Sequence, residues 1–304
     1  MATLAGAATD RIPYGLWYHF RLDPPAGDEF VESELAFYRK FEPDFLKVMH
    51  DIPYEMPAGL PKIESPEDWT KLTVLDGVNG NFGQQLAAIR RILAGMGNDA
   101  PLVDTVFSIF STAQKLCGNK TLEHLRADPD ATHAGLKKIA QSLANWSEAL
   151  VRNGAAGIYL AVSGAAGDTM PAEEYRANFL QYDQQILHAA RGGWLNVLHH
   201  HGVGIYPDLT LPLEGYHVYS WSNRLAGNPS VRELRLKRTG CLMAGVNELE
   251  FGKMTPEALI EEAKGAIAES GGRAFILGPG CAVPTPPDSP EAKLHIFRQV
   301  VTEV

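Results

Sequence analysis

The second half of the chain repeats one unit four times: a helical pattern, a glycine, and a short apolar run that ends in a polar or glycine-rich loop. The helical patterns cover residues 132–153, 171–191, 231–239 and 256–270, and the apolar runs that follow them cover residues 157–162, 194–198, 241–246 and 274–277. Glycine after the last helical turn readily adopts the left-handed conformation that ends a helix. A regular alternation of helix and strand predicts a parallel sheet with crossover helices.

Four further apolar segments, at residues 12–20, 45–49, 102–110 and 217–221, raise the number of predicted strands to eight. Eight strand–helix units close into a barrel, whereas open doubly wound sheets more often have five or six strands. No Gly-x-Gly-x-x-Gly sequence follows the first predicted strand, so a dinucleotide-binding fold loses its main support. We predict an α/β fold, a (β/α)8 TIM barrel that occupies residues 1–304 as a single domain. The Pro-rich residues 51–76 are predicted to form a surface excursion or lid.

Charge and cysteine content argue against several classes of partner. The formal net charge is −9, the pI is about 5.6, and no run of Lys and Arg is longer than two residues, which disfavours nucleic acid and acidic membranes. Three cysteines far apart in sequence argue against a disulfide framework. With neither a secretory signal pattern nor a long apolar stretch, the sequence predicts a soluble cytoplasmic protein that acts on a small molecule.

In such a barrel the functional residues lie at the carboxyl ends of the strands. His199, His200 and His201 follow the fifth predicted strand, and side chains alternate along an extended chain, so His199 and His201 are expected to point the same way. A Gly-Pro-Gly-Cys sequence that ends at Cys281 follows the eighth predicted strand. Two imidazoles and one thiolate with an open fourth position are typical of catalytic zinc. The same residues also fit a polar strand end and an ordinary buried cysteine, and spacing alone leaves both interpretations open.

The closing segment, residues 278–291, resembles the closing motif of the uroporphyrinogen decarboxylase superfamily, especially its zinc-dependent corrinoid methyltransferases. Those enzymes also carry His-x-Cys-Gly on an earlier strand, where this chain has His-His-His-Gly at residues 199–202. The resemblance implies that His199 and Cys281 are metal ligands and that His201 stands where the relatives have cysteine. Replacing a thiolate by a neutral imidazole makes the site one unit more positive, which favours an anionic substrate or bound hydroxide over the relatives' thiol chemistry.

The resemblance also suggests residues for catalysis and substrate binding near the first two strands. Asp51 matches the aspartate that faces the substrate pyrroles in true decarboxylases, although a helix-capping or loop role fits it equally well. Those decarboxylases grip substrate carboxylates with an Arg-Gln-Ala-Gly-Arg motif, for which only Arg21 could substitute here, so uroporphyrinogen decarboxylation is disfavoured. Tyr18, His19 and Arg21 are predicted at the barrel mouth, with His19 as a general base or, alternatively, a structural histidine.

Two later positions are candidates for substrate binding. Trp221 shares one face of the sixth predicted strand with His217 and Tyr219, and these side chains either line a pocket or pack in the core. Asn247 follows the seventh predicted strand, where the resemblance implies a substrate-facing polar loop.

The resemblance favours a zinc-dependent methyl or alkyl transferase, with a corrinoid on a partner protein as a donor that the resemblance alone implies. Three alternatives stay open: a decarboxylase or other lyase that works through Asp51, a metal-assisted lyase or hydrolase, and a non-catalytic protein that binds a tetrapyrrole or corrinoid. A homodimer is expected only by analogy with the decarboxylases.

Overall fold

A computed structural model describes residues 2–97 and 99–303 and contains a curled parallel sheet of seven strands. The strands are β1 (Leu46–Val48), β2 (Leu102–Phe107), β3 (Gly157–Val162), β4 (Val197–His200), β5 (Val218–Trp221), β6 (Cys241–Val246) and β7 (Phe275–Pro279). They hydrogen-bond in sequence order from β1 to β7, with each neighbouring pair parallel. The predicted α/β class is confirmed.

Helices connect and flank these strands. They are α1 (Asp28–Phe41), α2 (Gly80–Met96), α3 (Ile109–Cys117), α4 (Thr121–Ala127), α5 (Pro129–Arg152), α6 (Ala172–Asn178), α7 (Leu180–Ala189), α8 (Pro207–Thr210), α9 (Val231–Lys237), α10 (Pro256–Ser270), α11 (Glu291–Leu294) and α12 (Ile296–Glu303), with 3-10 helices at Thr3–Ala5 and Pro66–Lys71. Within the described ranges, none of them combines the length and apolar character that a membrane span requires.

The first of the eight predicted strands, at residues 12–20, is not formed as a strand. Only Tyr14 makes an isolated parallel bridge, to Leu277 of β7, where the N–H of Gly15 donates to the Leu277 carbonyl at 2.9 Å. On the other side, the N–H of Asp44 donates to the Tyr14 carbonyl at 2.9 Å just before β1. Pro13 has no N–H to extend the ladder, which helps to explain why the pairing stays this short. One short segment therefore contacts both edges of the sheet.

Buried side chains form two clusters on the two faces of the sheet. The larger cluster packs the sheet against the surrounding helices and includes Trp221 and Tyr219 of β5. The smaller cluster gathers residues from strands that are not neighbours, such as Tyr159 of β3 and Met243 of β6, so it fills the concave face. Any site at the end of that face is therefore supported from below by a packed core.

Residues 51–76 are anchored to the larger core cluster. Trp69, in the 3-10 helix, is fully buried, and its Nε1 donates to His124 Nδ1 at 3.1 Å. A Cβ atom at Gly135 of α5 would lie only 2.7 Å from Trp69 Cβ, so the two segments pack closely. Because buried tryptophan contributes a large apolar area, this excursion is held against α5.

The amino end of the sheet depends on one buried amide, and this gives a first prediction. Asn196 is fully buried, accepts from the N–H of Ile158 at 3.0 Å, and donates to the carbonyls of Ala190 and Gly215 at 2.9 Å each. Asn196→Ala leaves these groups unpaired and is expected to lower the free energy of unfolding by about 2–4 kcal/mol in denaturant titrations. Asn145→Ala, in a half-buried site, serves as control and should cost about 1 kcal/mol or less. Equal losses in both variants would refute this role for Asn196.

Candidate metal centre

Three predicted ligand side chains meet at the carboxyl end of the sheet. One ligand atom from each of His199, His201 and Cys281 lies within 4.8 Å of the others. His199 is in β4, and His201 follows directly, with its N–H donating to the Val162 carbonyl of β3 at 2.8 Å. That bond keeps the chain extended, so both imidazoles stay on the same side.

The buried imidazole of His199 is held in place by its neighbours. Its Nδ1 lies 3.2 Å from Ser220 Oγ on β5, and its ring stacks on Tyr159 at a centroid distance of 5.3 Å. Its Nε2 is buried and has no hydrogen-bond partner among the described residues. Leaving a buried polar atom without a partner costs free energy. Histidines that bind a metal through one ring nitrogen are usually oriented by a hydrogen bond on the other, as Ser220 provides here. His199 therefore fits a metal ligand.

The neighbouring His200 faces the other way. Its ring nitrogens lie 2.8 Å from Tyr219 Oη and 2.7 Å from the Ala165 carbonyl, so both are satisfied within the core. Burial lowers the pKa of His200 to about 4. This residue therefore has a structural role.

Close backbone approach positions the Cys281 thiol. The N–H of Gly280 donates to the Val246 carbonyl at 2.9 Å, which extends the contact between β6 and β7. A Cβ atom at Gly280 would lie 2.3 Å from Glu248 Oε2 and 2.7 Å from the Cα of Ser222. Only glycine fits there without displacing backbone, which explains why a small residue precedes the cysteine.

Burial sets the protonation states of the three side chains. It lowers the pKa of His199 well below its usual value and also lowers that of His201, so both imidazoles are neutral at pH 7 with lone pairs available. Burial and the charge of Glu248 raise the pKa of Cys281 to about 11. Two neutral imidazoles and one sulfur form a ligand set that suits Zn²⁺, which would bind the thiolate form of the cysteine.

A cavity of about 230 Å³ opens beside these ligands, and we call it the metal cavity. Its walls include His19, Lys47, Tyr159 and Ser163 in addition to the three ligand residues. The space next to the candidate metal position is therefore large enough for a small group of a substrate.

His19 and Asp51, both predicted as catalytic, form a pair at the edge of the metal cavity. His19 Nδ1 lies 2.8 Å from Asp51 Oδ1, and both side chains are partly exposed. Burial raises the pKa of Asp51, but the hydrogen bond and charge of His19 outweigh it, and the pKa is lowered overall. An imidazole oriented by a carboxylate is a usual arrangement for a general base.

Lys47 is a site residue that the sequence analysis missed. Its buried ammonium donates to Thr105 Oγ1 at 2.8 Å and lies 4.7 Å from the centre of the Tyr159 ring. Burial lowers its pKa to about 8. A lysine inside the apolar run Phe45–Leu46–Lys47–Val48–Met49 is the signal that could have identified it, since lysine is rarely buried without a role.

Glu248 follows Asn247 in the loop that the resemblance implies to face the substrate, although only Asn247 was predicted to bind it. It is buried, its Oε1 accepts from Ser222 Oγ, and its Oε2 has no partner within the described part of the chain. Burial raises the pKa of its carboxyl group. Glu248 therefore packs against Gly280, the residue directly before Cys281.

The other predicted substrate-binding residues lie outside the metal cavity. Tyr18 packs edge-on against Phe37 of α1 at a centroid distance of 5.2 Å. Arg21 is exposed and pairs with Asp288 at 3.2 Å. The backbone after Trp17 therefore turns these two side chains towards α1 and the surface, while His19 faces the cavity.

Trp221 and Asn247 also bond away from the cavity. Trp221 is fully buried on the helix side of β5, where its Nε1 donates to the Pro229 carbonyl at 2.8 Å. Asn247 Oδ1 accepts from the N–H of Leu249 at 3.0 Å and so caps its own turn. Both residues have structural contacts, and on β5 it is Ser220 that faces the candidate metal.

The contact between Ser220 and His199 provides a second prediction. Ser220→Ala removes the group that orients the imidazole and is expected to weaken zinc affinity by about 10–100-fold, measured by competition with a chromophoric chelator. Ser289→Ala is the matched control, because Ser289 is buried and its hydroxyl has no partner in the described ranges. Unchanged affinity in Ser220→Ala would show that this contact does not orient the ligand.

Comparison with solved structures finds the same fold in proteins of low sequence identity. A methyltransferase from Methanosarcina mazei superimposes with a TM-score of 0.80 at 18% identity, over 99% of this chain and 96% of that one. A protein described as a putative vitamin-B12-independent methionine synthase from Listeria monocytogenes gives a TM-score of 0.60 at 11% identity, over 90% and 86%. An endo-1,4-beta-mannanase from Rhizomucor miehei gives 0.57 at 10%, over 96% and 94%.

A comparison with curated protein sequences gives no significant match. The sequence profile described as Uroporphyrinogen decarboxylase (URO-D), however, matches residues 28–304, which include every candidate ligand. This match spans most of the chain, in agreement with the strand order and the Gly-Pro-Gly-Cys loop. The chain therefore belongs to the uroporphyrinogen decarboxylase (URO-D) family.

Proposed function

We propose that the chain is a zinc-dependent methyl or alkyl transferase acting on a small molecule. The observation that carries this proposal is the cluster of His199, His201 and Cys281, in which the buried Nε2 of His199 has no hydrogen-bond partner in the described part of the chain. Three protein ligands with an adjoining cavity match the open coordination of catalytic zinc. The fold of this chain is also that of a solved methyltransferase, with a TM-score of 0.80, which is compatible with the proposal.

Five residues of the site have defined tasks in this proposal. A bound zinc would supply Lewis acidity that activates the acceptor atom of a substrate at neutral pH. His199 and His201 donate neutral nitrogens, and Cys281 donates sulfur. His19, oriented by Asp51, receives the proton that the acceptor loses on binding.

The methyl donor that we propose is a corrinoid presented by a partner protein. This part rests on the family resemblance of the closing motif. The methionine synthase from Listeria monocytogenes is described as B12-independent, so a donor assay should include a compound without cobalt. Methylcobalamin and S-adenosylmethionine are suitable probes.

We also propose that residues 1–304 form one TIM-barrel domain in which residues 13–15 take the place of the one predicted strand that is not formed. The hydrogen bonds of this segment to β7 and to Asp44 support the proposal, because they bring both sheet edges to the same place.

A metal-assisted lyase or hydrolase is the second candidate function. The pair of His19 and Asp51 favours it, because this pair could accept a proton from water beside the metal. Uroporphyrinogen decarboxylation has less support. Arg21 is exposed, and its guanidinium is already paired with the Asp288 carboxylate and not with a substrate carboxylate.

A transfer assay separates these functions. Zinc-loaded protein is incubated with methylcobalamin and a panel of thiols and small oxyanions, and cobalamin demethylation is followed by absorbance. The transferase proposal expects demethylation that depends on both zinc and an acceptor. Hydrolysis of carboxylic or phosphate esters without any transfer would support the second candidate and contradict the first.

A further inference from the structure

A second cavity, which we call the outer cavity, adjoins the metal cavity. Its volume is about 470 Å³, and Thr105 and Phe107 of β2 line both spaces. Cavities of this size hold small organic molecules. Of the residues in its wall, the function proposed above uses only Asp51.

Aromatic rings form one wall of the outer cavity. Phe82 and Trp146 stack nearly parallel, with centroids 5.0 Å apart and an interplanar angle of 7°, and Tyr54 meets the Phe82 ring edge-on at 6.0 Å. His50 adds a further ring, 5.5 Å from that of Trp146. Such a surface favours a flat apolar group, because ring contacts add to the gain from burial.

Trp146 also has an unused hydrogen-bond donor. Its side chain is 1% exposed, and its Nε1 has no acceptor in residues 2–97 and 99–303. Buried tryptophan usually finds a partner for this N–H, since leaving it unpaired is costly. This unpaired donor lies beneath the surface of the cavity wall.

Two lysines give the outer cavity positive charge. Lys62 and Lys115 line it, and no carboxylate of the described residues lies within 4.0 Å of either ammonium. The one acid in the wall, Asp51, is already paired with His19. Lys115 lies over the Phe107 ring, at the boundary between the two cavities. The cavity therefore has cations available for an anion.

We propose that the outer cavity binds an organic anion with a flat apolar body. The body packs on the wall that Phe82 and Trp146 form, and the anionic group accepts from Lys115 and Lys62. Binding depends on these residues and not on a metal. One part of the proposal rests on the function proposed above, namely that this ligand is the substrate of the adjoining metal site.

Calorimetric titration of the full chain tests the proposal, with 2-naphthoate as the anionic probe and 2-naphthalenemethanol as its neutral analogue. We expect naphthoate to bind more tightly than the alcohol. Lys115→Met should weaken naphthoate binding about tenfold or more and leave the alcohol unchanged, because only the anion loses a charge-assisted bond. Trp146→Phe should weaken both probes. Lys264→Met, on the surface beside Glu303, controls for net charge.

Three results would overturn the proposal: no binding of naphthoate, equal affinity for both probes, or unchanged affinity in Lys115→Met. If that variant does not fold, Lys62→Met makes the same test. Its expected result is also weaker binding of naphthoate and unchanged binding of the alcohol. The titrations are run on zinc-free and zinc-loaded protein. Naphthoate binding to protein that takes up no zinc would support the anion site and contradict the proposed transferase. Zinc uptake without naphthoate binding would support the metal centre and overturn the anion site.

Discussion

His199→Ala and Cys281→Ala are each expected to abolish stoichiometric zinc binding. Each change removes one of three ligands whose donor atoms lie within 4.8 Å of one another. Structural zinc sites in zinc-finger peptides are worth about 10–16 kcal/mol, and on that scale the loss of one ligand of three or four costs roughly 3–5 kcal/mol, more than a hundredfold in affinity. Dialysed wild-type protein should contain about one zinc per chain by plasma emission analysis, and the variants should contain almost none.

Matched controls separate this effect from general damage. Cys241→Ala removes a buried thiol on β6 that is not among the grouped ligands, and His188→Ala removes an exposed imidazole on α7. Both should keep the zinc content of the wild type. Retention of a full zinc in His199→Ala and in Cys281→Ala would show that these residues are not ligands.

Asp51→Asn and His19→Gln are expected to lower the rate of the transfer reaction by about 10²–10⁴-fold, the usual contribution of a general base. The hydrogen bond from His19 Nδ1 to Asp51 orients the ring, and the lowered pKa of Asp51 keeps its carboxylate ionised across the neutral range. Removal of either partner therefore disables the same proton acceptor, and the double variant should be little worse than either single one.

The zinc content of both variants should remain that of the wild type, because neither side chain belongs to the ligand cluster. Asp208→Asn, at an exposed pair with Lys237, is the control for the loss of one surface carboxylate. Wild-type rates in Asp51→Asn would exclude this pair as the proton acceptor and leave it a structural contact.

Local signals in the sequence predicted those elements whose ends are fixed by backbone chemistry. Helix α10 begins and ends where expected, because Thr255 Oγ1 accepts from the N–H of Ala258 at the start and Gly271 takes a φ of 74° at the end. The pattern over residues 171–191 instead forms two helices, α6 and α7, separated at Phe179. No glycine or internal proline marks that break, so the periodic pattern could not reveal it.

Alternation along a strand predicted which side chains share a face, but it did not tell which face is concave. For His199 and His201, the family resemblance indicated that the face they share is the one that points into the site. For Trp221 alternation alone left two choices, and the helices bury that face while the smaller Ser220 faces the candidate metal. Lys47 was missed for a related reason, since a lysine in a three-residue strand gives no periodic signal.

The most direct test of the proposed metal centre is X-ray absorption at the zinc edge of loaded wild-type protein. Coordination by His199, His201 and Cys281 predicts one sulfur at about 2.3 Å and two imidazole nitrogens at about 2.0–2.1 Å, with a light atom in the open position. A spectrum with only nitrogen and oxygen neighbours, or with two or more sulfur atoms, would contradict it.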